Sequence, residues 1–212
     1  MADVKITVRP NGPYLLEGTV TLVDAAGNPF PLPANKPRIA LCRCGGSANK
    51  PFCDGTHAKN GFSGSRLGGG PQDKRRDYAG KRITIHDNRG LCAHAGHCTE
   101  GLAAVFNSER QPWIDPDGAA VADIIETVRR CPSGALSYSI DGVEHRDQER
   151  AAAITVTKDG PYAVTGGAEL AGVARGEGAS MEHFSLCRCG ASKNKPFCDG
   201  SHWDVEFTDE KN

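Results

Sequence analysis

Apolar and polar residues alternate along Lys5-Ile6-Thr7-Val8-Arg9 and again along Ala153-Ile154-Thr155-Val156-Thr157, the two-residue period of a half-buried strand. Each stretch is followed by a turn signal, Asn11-Gly12-Pro13-Tyr14 after the first and Asp159-Gly160-Pro161-Tyr162 after the second. Arg82-Ile83-Thr84-Ile85 and Leu136-Ser137-Tyr138-Ser139-Ile140 read as two further short strands. Between these the period changes. Val121, Ile124, Ile125 and Val128 fall at i, i+3, i+4 and i+7, an amphipathic helix whose end at Arg129-Arg130 suits the helix dipole. Thr99 is placed to cap an earlier helix carrying Leu102, Val105 and Phe106. The pattern predicts an α+β chain, with a compact α+β unit over residues 81–143 set between two mostly β segments.

The two outer segments repeat one another. Leu41-Cys42-Arg43-Cys44-Gly45 matches Leu186-Cys187-Arg188-Cys189-Gly190. Asn49-Lys50-Pro51-Phe52-Cys53-Asp54-Gly55-Thr56-His57 matches Asn194-Lys195-Pro196-Phe197-Cys198-Asp199-Gly200-Ser201-His202. The strand and turn upstream belong to the repeat as well, so the unit is longer than its cysteine loop. This divides the chain into a first repeat over residues 1–62, a linker over 63–80, a central unit over 81–143 and a second repeat over 150–212. Ser63-Gly64-Ser65 and Gly68-Gly69-Gly70-Pro71 make the linker flexible, and its basic run Lys74-Arg75-Arg76 reads as a solvated connector. Gly176-Glu177-Gly178 follows no clear strand and reads as a turn rather than a dinucleotide loop.

Composition adds a constraint. The chain has 212 residues, of which 38% are hydrophobic and only 6% aromatic, so each core is small and needs a staple. A net charge of −1 gives no basic bias, which argues against a nucleic-acid binder. No apolar run approaches membrane-spanning length, and Met1-Ala2-Asp3-Val4-Lys5 does not open a signal peptide, so a reducing cytoplasm is expected. Nine cysteines are an odd set for a disulfide framework, and in a reducing compartment clustered thiols point to metal.

In each repeat the spacing is C-x-C, eight residues, C, three residues, H: Cys42, Cys44, Cys53 and His57, then Cys187, Cys189, Cys198 and His202. If Cys53 opens a helix, thiolate and imidazole share a face of its first turn. Asp54 and Asp199 are placed to bond local N–H groups, Gly55 and Gly200 to let the backbone approach a metal, and Pro51 and Pro196 to stiffen the loop. Arg43, Arg188, Lys50 and Lys195 lie within the loops, either as cations tuning a metal centre or as plain surface charge. Three Cys and one His are also a structural zinc set, and spacing alone leaves zinc open. The sequence Cys198-Asp199-Gly200-Ser201-His202, with its copy Cys53-Asp54-Gly55-Thr56-His57, resembles the CDGSH iron–sulfur domain of mitoNEET-type proteins. That resemblance, over residues 1–62 and 150–207, implies that each Cys3His set holds a [2Fe–2S] cluster. MitoNEET-type proteins are dimers that exchange strands, so it also implies a pseudo-dimer built within one chain, or a homodimer.

Cys92, Cys98 and Cys131-Pro132 form a third set. They match the first, third and last positions of a bacterial C-x2-C-x2-C…C-P ferredoxin run, with Ala95 in the second. Residues 81–143 thus resemble the divergent mono-cluster ferredoxin domain. Either three cysteines hold a [3Fe–4S] cluster, the favoured expectation, or His94 or His97 completes a [4Fe–4S] set; the rival is three buried cysteines without metal. His86, His145 and His183 lack ligand spacing.

No Ser/His/Asp arrangement, phosphate loop or dinucleotide fingerprint is evident, so a non-enzymatic electron carrier with a protein reductase and acceptor is expected. The alternatives are a cluster donor or redox and pH sensor, a zinc-stapled interaction module, and an electron-entry subunit of a larger enzyme.

Overall fold

The computed structural model describes residues 4–32, 38–70 and 72–210. Met1 to Asp3 and Pro71, on which the sequence reading drew, lie outside the described residues. The chain runs through β1 (Lys5–Val8), β2 (Tyr14–Glu17), β3 (Thr21–Val23), β4 (Ile39–Leu41), a 3-10 turn at Thr56–Ala58, β5 (Arg75–Ala79) and β6 (Thr84–Asn88). A second 3-10 turn at Arg89–Leu91, α1 (His97–Gly101), α2 (Val121–Arg129), β7 (Leu136–Ile140) and β8 (Val143–His145) complete the central unit. Then come β9 (Ala153–Val156), β10 (Tyr162–Thr165), β11 (Glu169–Ala171), β12 (Phe184–Leu186) and α3 (Ser201–Asp204).

The two repeats trade strands. One four-stranded sheet has the order β11-β1-β2-β4 and the other β12-β10-β9-β3. β1 pairs antiparallel with β2, Ile6 opposite Leu16, and on its other side lies parallel to β11, Ile6 opposite Leu170. The mirror arrangement sets Ile154 of β9 opposite Val164 of β10 and parallel to Leu22 of β3. The alternating residues of both sheets fill one common core, with Ile6, Leu16, Leu22, Leu41, Ile154, Val156, Val164, Leu170 and Leu186 all buried. Neither repeat closes its sheet without the other.

The central unit has its own sheet, β5-β6-β7-β8, with α2 packed on β7 and a separate core of Ile83, Ile85, Val105, Phe106, Ile114, Ile124, Val128, Leu136 and Tyr138. It leans on the second repeat. Asn88 Nδ2 donates to Glu177 O at 2.8 Å, Ser180 Oγ to Asp147 Oδ1 at 2.7 Å, and Ser185 Oγ to Pro132 O at 3.1 Å.

Three expectations need correction. The helix expected from Thr99 through Phe106 stops at Gly101; Gly96, in the left-handed region, precedes it, and Thr99 lies inside it. Val105 and Phe106 are buried instead through a bridge from Phe106 to Ile114. The basic run is not a free connector. Arg75 and Arg76 open β5, an edge strand on which exposed charge is tolerated, and Arg75 pairs with Glu144 of β8 at 2.9 Å. The helical turns of the cysteine loops begin at Thr56 and Ser201, three residues after Cys53 and Cys198 rather than at them. No helix among the described residues is long and apolar enough to cross a membrane.

Candidate metal centres

In both loops the Cys-to-His turn is made by a glycine that a side chain would strain: Gly55 has φ 89° and Gly200 φ 88°. The turn folds the imidazole back onto the thiol, so that Cys53 Sγ and His57 Nδ1 stand 3.4 Å apart, as do Cys198 Sγ and His202 Nδ1. The C-x-C pairs lie on the strand ends after β4 and β12, with Cys42 Sγ 3.9 Å from Cys44 Sγ and Cys187 Sγ 3.7 Å from Cys189 Sγ. The donors thus come two by two. Among the described residues no three His, Cys, Asp or Glu side chains are grouped as one metal ion would need.

The loops are held by the expected aspartates. Asp54 accepts from Thr56 N at 3.0 Å and Ala48 N at 2.8 Å, and the Thr56 hydrogen bonds hold its carboxyl well below the usual range. Burial works against Asp199, yet bonds from Ser201 and Lys193 keep its pKa low as well. The loop cations are not surface charge. Arg188, 1% exposed, donates to Gly160 O and Thr157 O and pairs with Asp209. Arg43, also buried, donates to Arg9 O and Gly64 O. Each Arg reaches from its cysteine loop to the turn that opens its own repeat. Lys50 Nζ and Lys195 Nζ cap Ser47 O and Ser192 O within the loops.

Two residues escaped the sequence reading. Tyr14 and Tyr162 are fully buried, and each hydroxyl crosses to the other repeat. Tyr14 donates to Cys187 O and Pro196 O, both at 2.9 Å; Tyr162 donates to Cys42 O at 2.9 Å and Pro51 O at 3.0 Å. The signal was present in the shared Gly-Pro-Tyr, which read simply as the end of a turn. The two cysteine loops also touch. A Cβ on Gly45 would stand 2.4 Å from Cys189 O, and one on Gly190 2.7 Å from Cys44 O.

Cys92, Cys98 and Cys131 line one cavity of about 230 Å³, together with His94, His97 and Pro132. Cys98 is placed by α1 and Cys131 follows the end of α2. His86, His145 and His183 bond elsewhere: His86 to Asp77 and Ser139, His183 to Glu182 and Ser180, while His145 stacks on Tyr138.

The thiols suit a metal. Burial pushes Cys42 and Cys92 up to about 11 and raises Cys53, Cys98 and Cys198. The Cys187–Cys189 hydrogen bond holds the proton on Cys187 and lowers Cys189. Thiols so buried become thiolates only with a cation among them, and thiolates beside imidazole suit iron or zinc.

Such loops suit a bound metal, and comparison with known families identifies an iron–sulfur-binding protein. The family described as iron-binding zinc finger, CDGSH type, matches residues 11–58 and again 159–203. The divergent 4Fe-4S mono-cluster family matches residues 78–141 between them. Uncharacterized protein YjdI of Escherichia coli (strain K12) is 43% identical over 63 residues, 30% of this chain and 83% of that protein; YjdI of Escherichia coli O157:H7 gives the same figures. The chain belongs to the CDGSH iron-binding family, with two CDGSH regions flanking a divergent mono-cluster domain.

Proposed function

We propose that the chain is a non-enzymatic electron carrier with three centres: a [2Fe–2S] cluster on Cys42, Cys44, Cys53 and His57, a second on Cys187, Cys189, Cys198 and His202, and a [3Fe–4S] or [4Fe–4S] cluster on Cys92, Cys98 and Cys131. The two-by-two spacing of the donors carries the reading. Two donors for each of two irons suits a dinuclear cluster, whereas zinc gathers four around one point. Bound there, iron–sulfur clusters take up and release single electrons.

The chain's residues do the rest. Tyr14 and Tyr162 tie the carbonyls of each cysteine loop to the opposite repeat, so both centres sit on a rigid pseudo-dimeric frame. Buried Arg43 places positive charge beside the first loop, which favours reduction there, while the charge of Arg188 is offset by its pair with Asp209. His57 and His202 supply neutral imidazole in place of thiolate, which raises the potential above that of an all-cysteine centre. The reduced thiols suit a reducing cytoplasm, with a protein reductase and acceptor as partners.

The test is metal and sulfide analysis of anaerobically purified protein with potentiometry of His57→Cys/His202→Cys. Iron with acid-labile sulfide, and potentials lowered in the double variant, support the reading. Zinc without sulfide replaces it with a stapled interaction module. A second reading, cluster donation, is favoured by the part-exposed Cys53 and His57. It is sunk if holo protein passes no cluster to an apo acceptor over hours at neutral pH.

A further inference from the structure

The second CDGSH loop makes a contact that the first does not share. Trp203 directly follows His202, and its indole Nε1 donates to His94 O at 3.2 Å. Its ring packs on the His202 imidazole, centroids 4.9 Å apart. Gly200 lies against the His94 ring, where an added Cβ would stand 2.9 Å from His94 Cβ and Cδ2. Asn194 Nδ2 donates to Gly90 O at 2.8 Å and closes the same face. His94 lies between Cys92 and Cys98, so the loop of one site is packed on the loop of the other. In the first repeat the residue after His57 is Ala58, and a Cβ on Gly55 would meet nothing within 4 Å.

We propose that Trp203 and His94 form the junction through which the second CDGSH site and the central three-cysteine site exchange electrons, so that the three sites work in series with the first CDGSH site at the outer end. The inference rests on the electron-transfer reading above. Contact runs from the first cysteine loop to the second at Gly45 and Gly190, and from the second to the central loop at Gly200 and Trp203. In each exchange one electron leaves one centre, which is oxidised, and enters the next, which is reduced; no proton moves and no covalent bond changes. The electron comes from an external one-electron reductant.

The test is pulse reduction of anaerobic holo protein by a radical generated in solution, with the electron's location followed by freeze-quench EPR. In the wild type a first-order phase, independent of protein concentration, moves the electron between the central and second CDGSH sites. Trp203→Ala, which installs the residue of the first repeat, keeps its iron and slows that phase more than Trp203→Phe does, with the potentials of each variant measured alongside so that a change in driving force is separated from loss of the junction. Trp203→Phe keeps the ring but not the N–H donor, and retains a slower phase. Cys198→Ser, which unloads the middle site, stops exchange between the outer two. A wild-type rate in fully loaded Trp203→Ala overturns the junction, and exchange between the outer sites in Cys198→Ser overturns the series. If every site of the wild type takes an electron but no concentration-independent phase appears, the junction falls and electron transfer to outside partners stands. If no site takes an electron, the carrier reading itself falls.

Discussion

The two CDGSH loops carry the same ligands in the same order with the same 3.4 Å Cys–His approach, yet they sit in different surroundings. His202 is 4% exposed and Cys198 2%, while His57 and Cys53 both reach solvent. The ligand set does not cause this difference. It follows from the central unit, which packs on the second repeat and covers its loop with His94, and from Trp203 standing where the first repeat has Ala58. Two sites with the same ligands are unequal because the central unit between them leans to one side.

The largest effect that can break the comparison is removal of a ligand. Cys53→Ser is expected to cost the iron of the first site and leave the central site's spectrum unchanged. Cys198→Ser should cost the iron of the second site and also perturb the central spectrum, because its loop packs on His94. Site-resolved iron analysis and EPR check both, and equal effects on the central site would remove the asymmetry. Next is acid. Protonation competes with iron for imidazole nitrogen, so lowering the pH should release the cluster at solvent-reached His57 before that at buried His202. Following visible absorbance during acid pulses gives two phases, and the faster one disappears in His57→Cys.

A smaller effect concerns the domain that makes the copies unequal. Asp87 on β6 is 1% exposed, with Trp113 beside its carboxylate and no hydrogen bond of good geometry to it among the described residues. Burial pushes its pKa up to about 6, and the charges of Arg89 and Arg76 offset this in part. A raised pKa means that folding favours the protonated acid. That stabilisation is complete below the unfolded value of 3.8 and is lost as pH rises through about 6. Asp87→Asn should therefore gain roughly 2–3 kcal/mol at neutral pH and above, fading to nothing near the unfolded pKa. Urea unfolding across that pH range reads it. Smallest, and equal on the two sides, are Tyr14→Phe and Tyr162→Phe. Each removes the hydroxyl donor from one buried cysteine carbonyl of the opposite loop, Cys187 O or Cys42 O, while Pro196 O and Pro51 O keep their bonds from Cys187 N and Cys42 N, at a cost of about 1–3 kcal/mol. Unequal costs would show that the frame itself is asymmetric.

Much of this was legible in the residues. The alternating runs at 5–9 and 153–157 became β1 and β9, the spacing of Val121 to Val128 became α2, and Cys92, Cys98 and Cys131 line one cavity. The strand exchange was implied by the family resemblance, but the strands that make it were hidden because β3 and β11 are three residues each, too short to show a period; only pairing with the other repeat defines them. The early end of α1 was hidden because Leu102, Val105 and Phe106 have helical spacing, although two of them are buried by a turn and a bridge. Burial of Arg43 and Arg188 was hidden because the carbonyls they bond lie 21 to 34 residues away in sequence. The difference between the two sites was written in one place, Ala58 against Trp203, and its meaning depended on His94, which lies in another domain.

The most direct test of three centres of two kinds is low-temperature EPR of anaerobically purified, metal-loaded protein, as isolated and after dithionite reduction. The account predicts two distinct reduced [2Fe–2S] signals after dithionite, together with a third centre: a [3Fe–4S] signal before reduction or a reduced [4Fe–4S] signal after it. Silence in both states, from protein shown to carry its full metal, would contradict it.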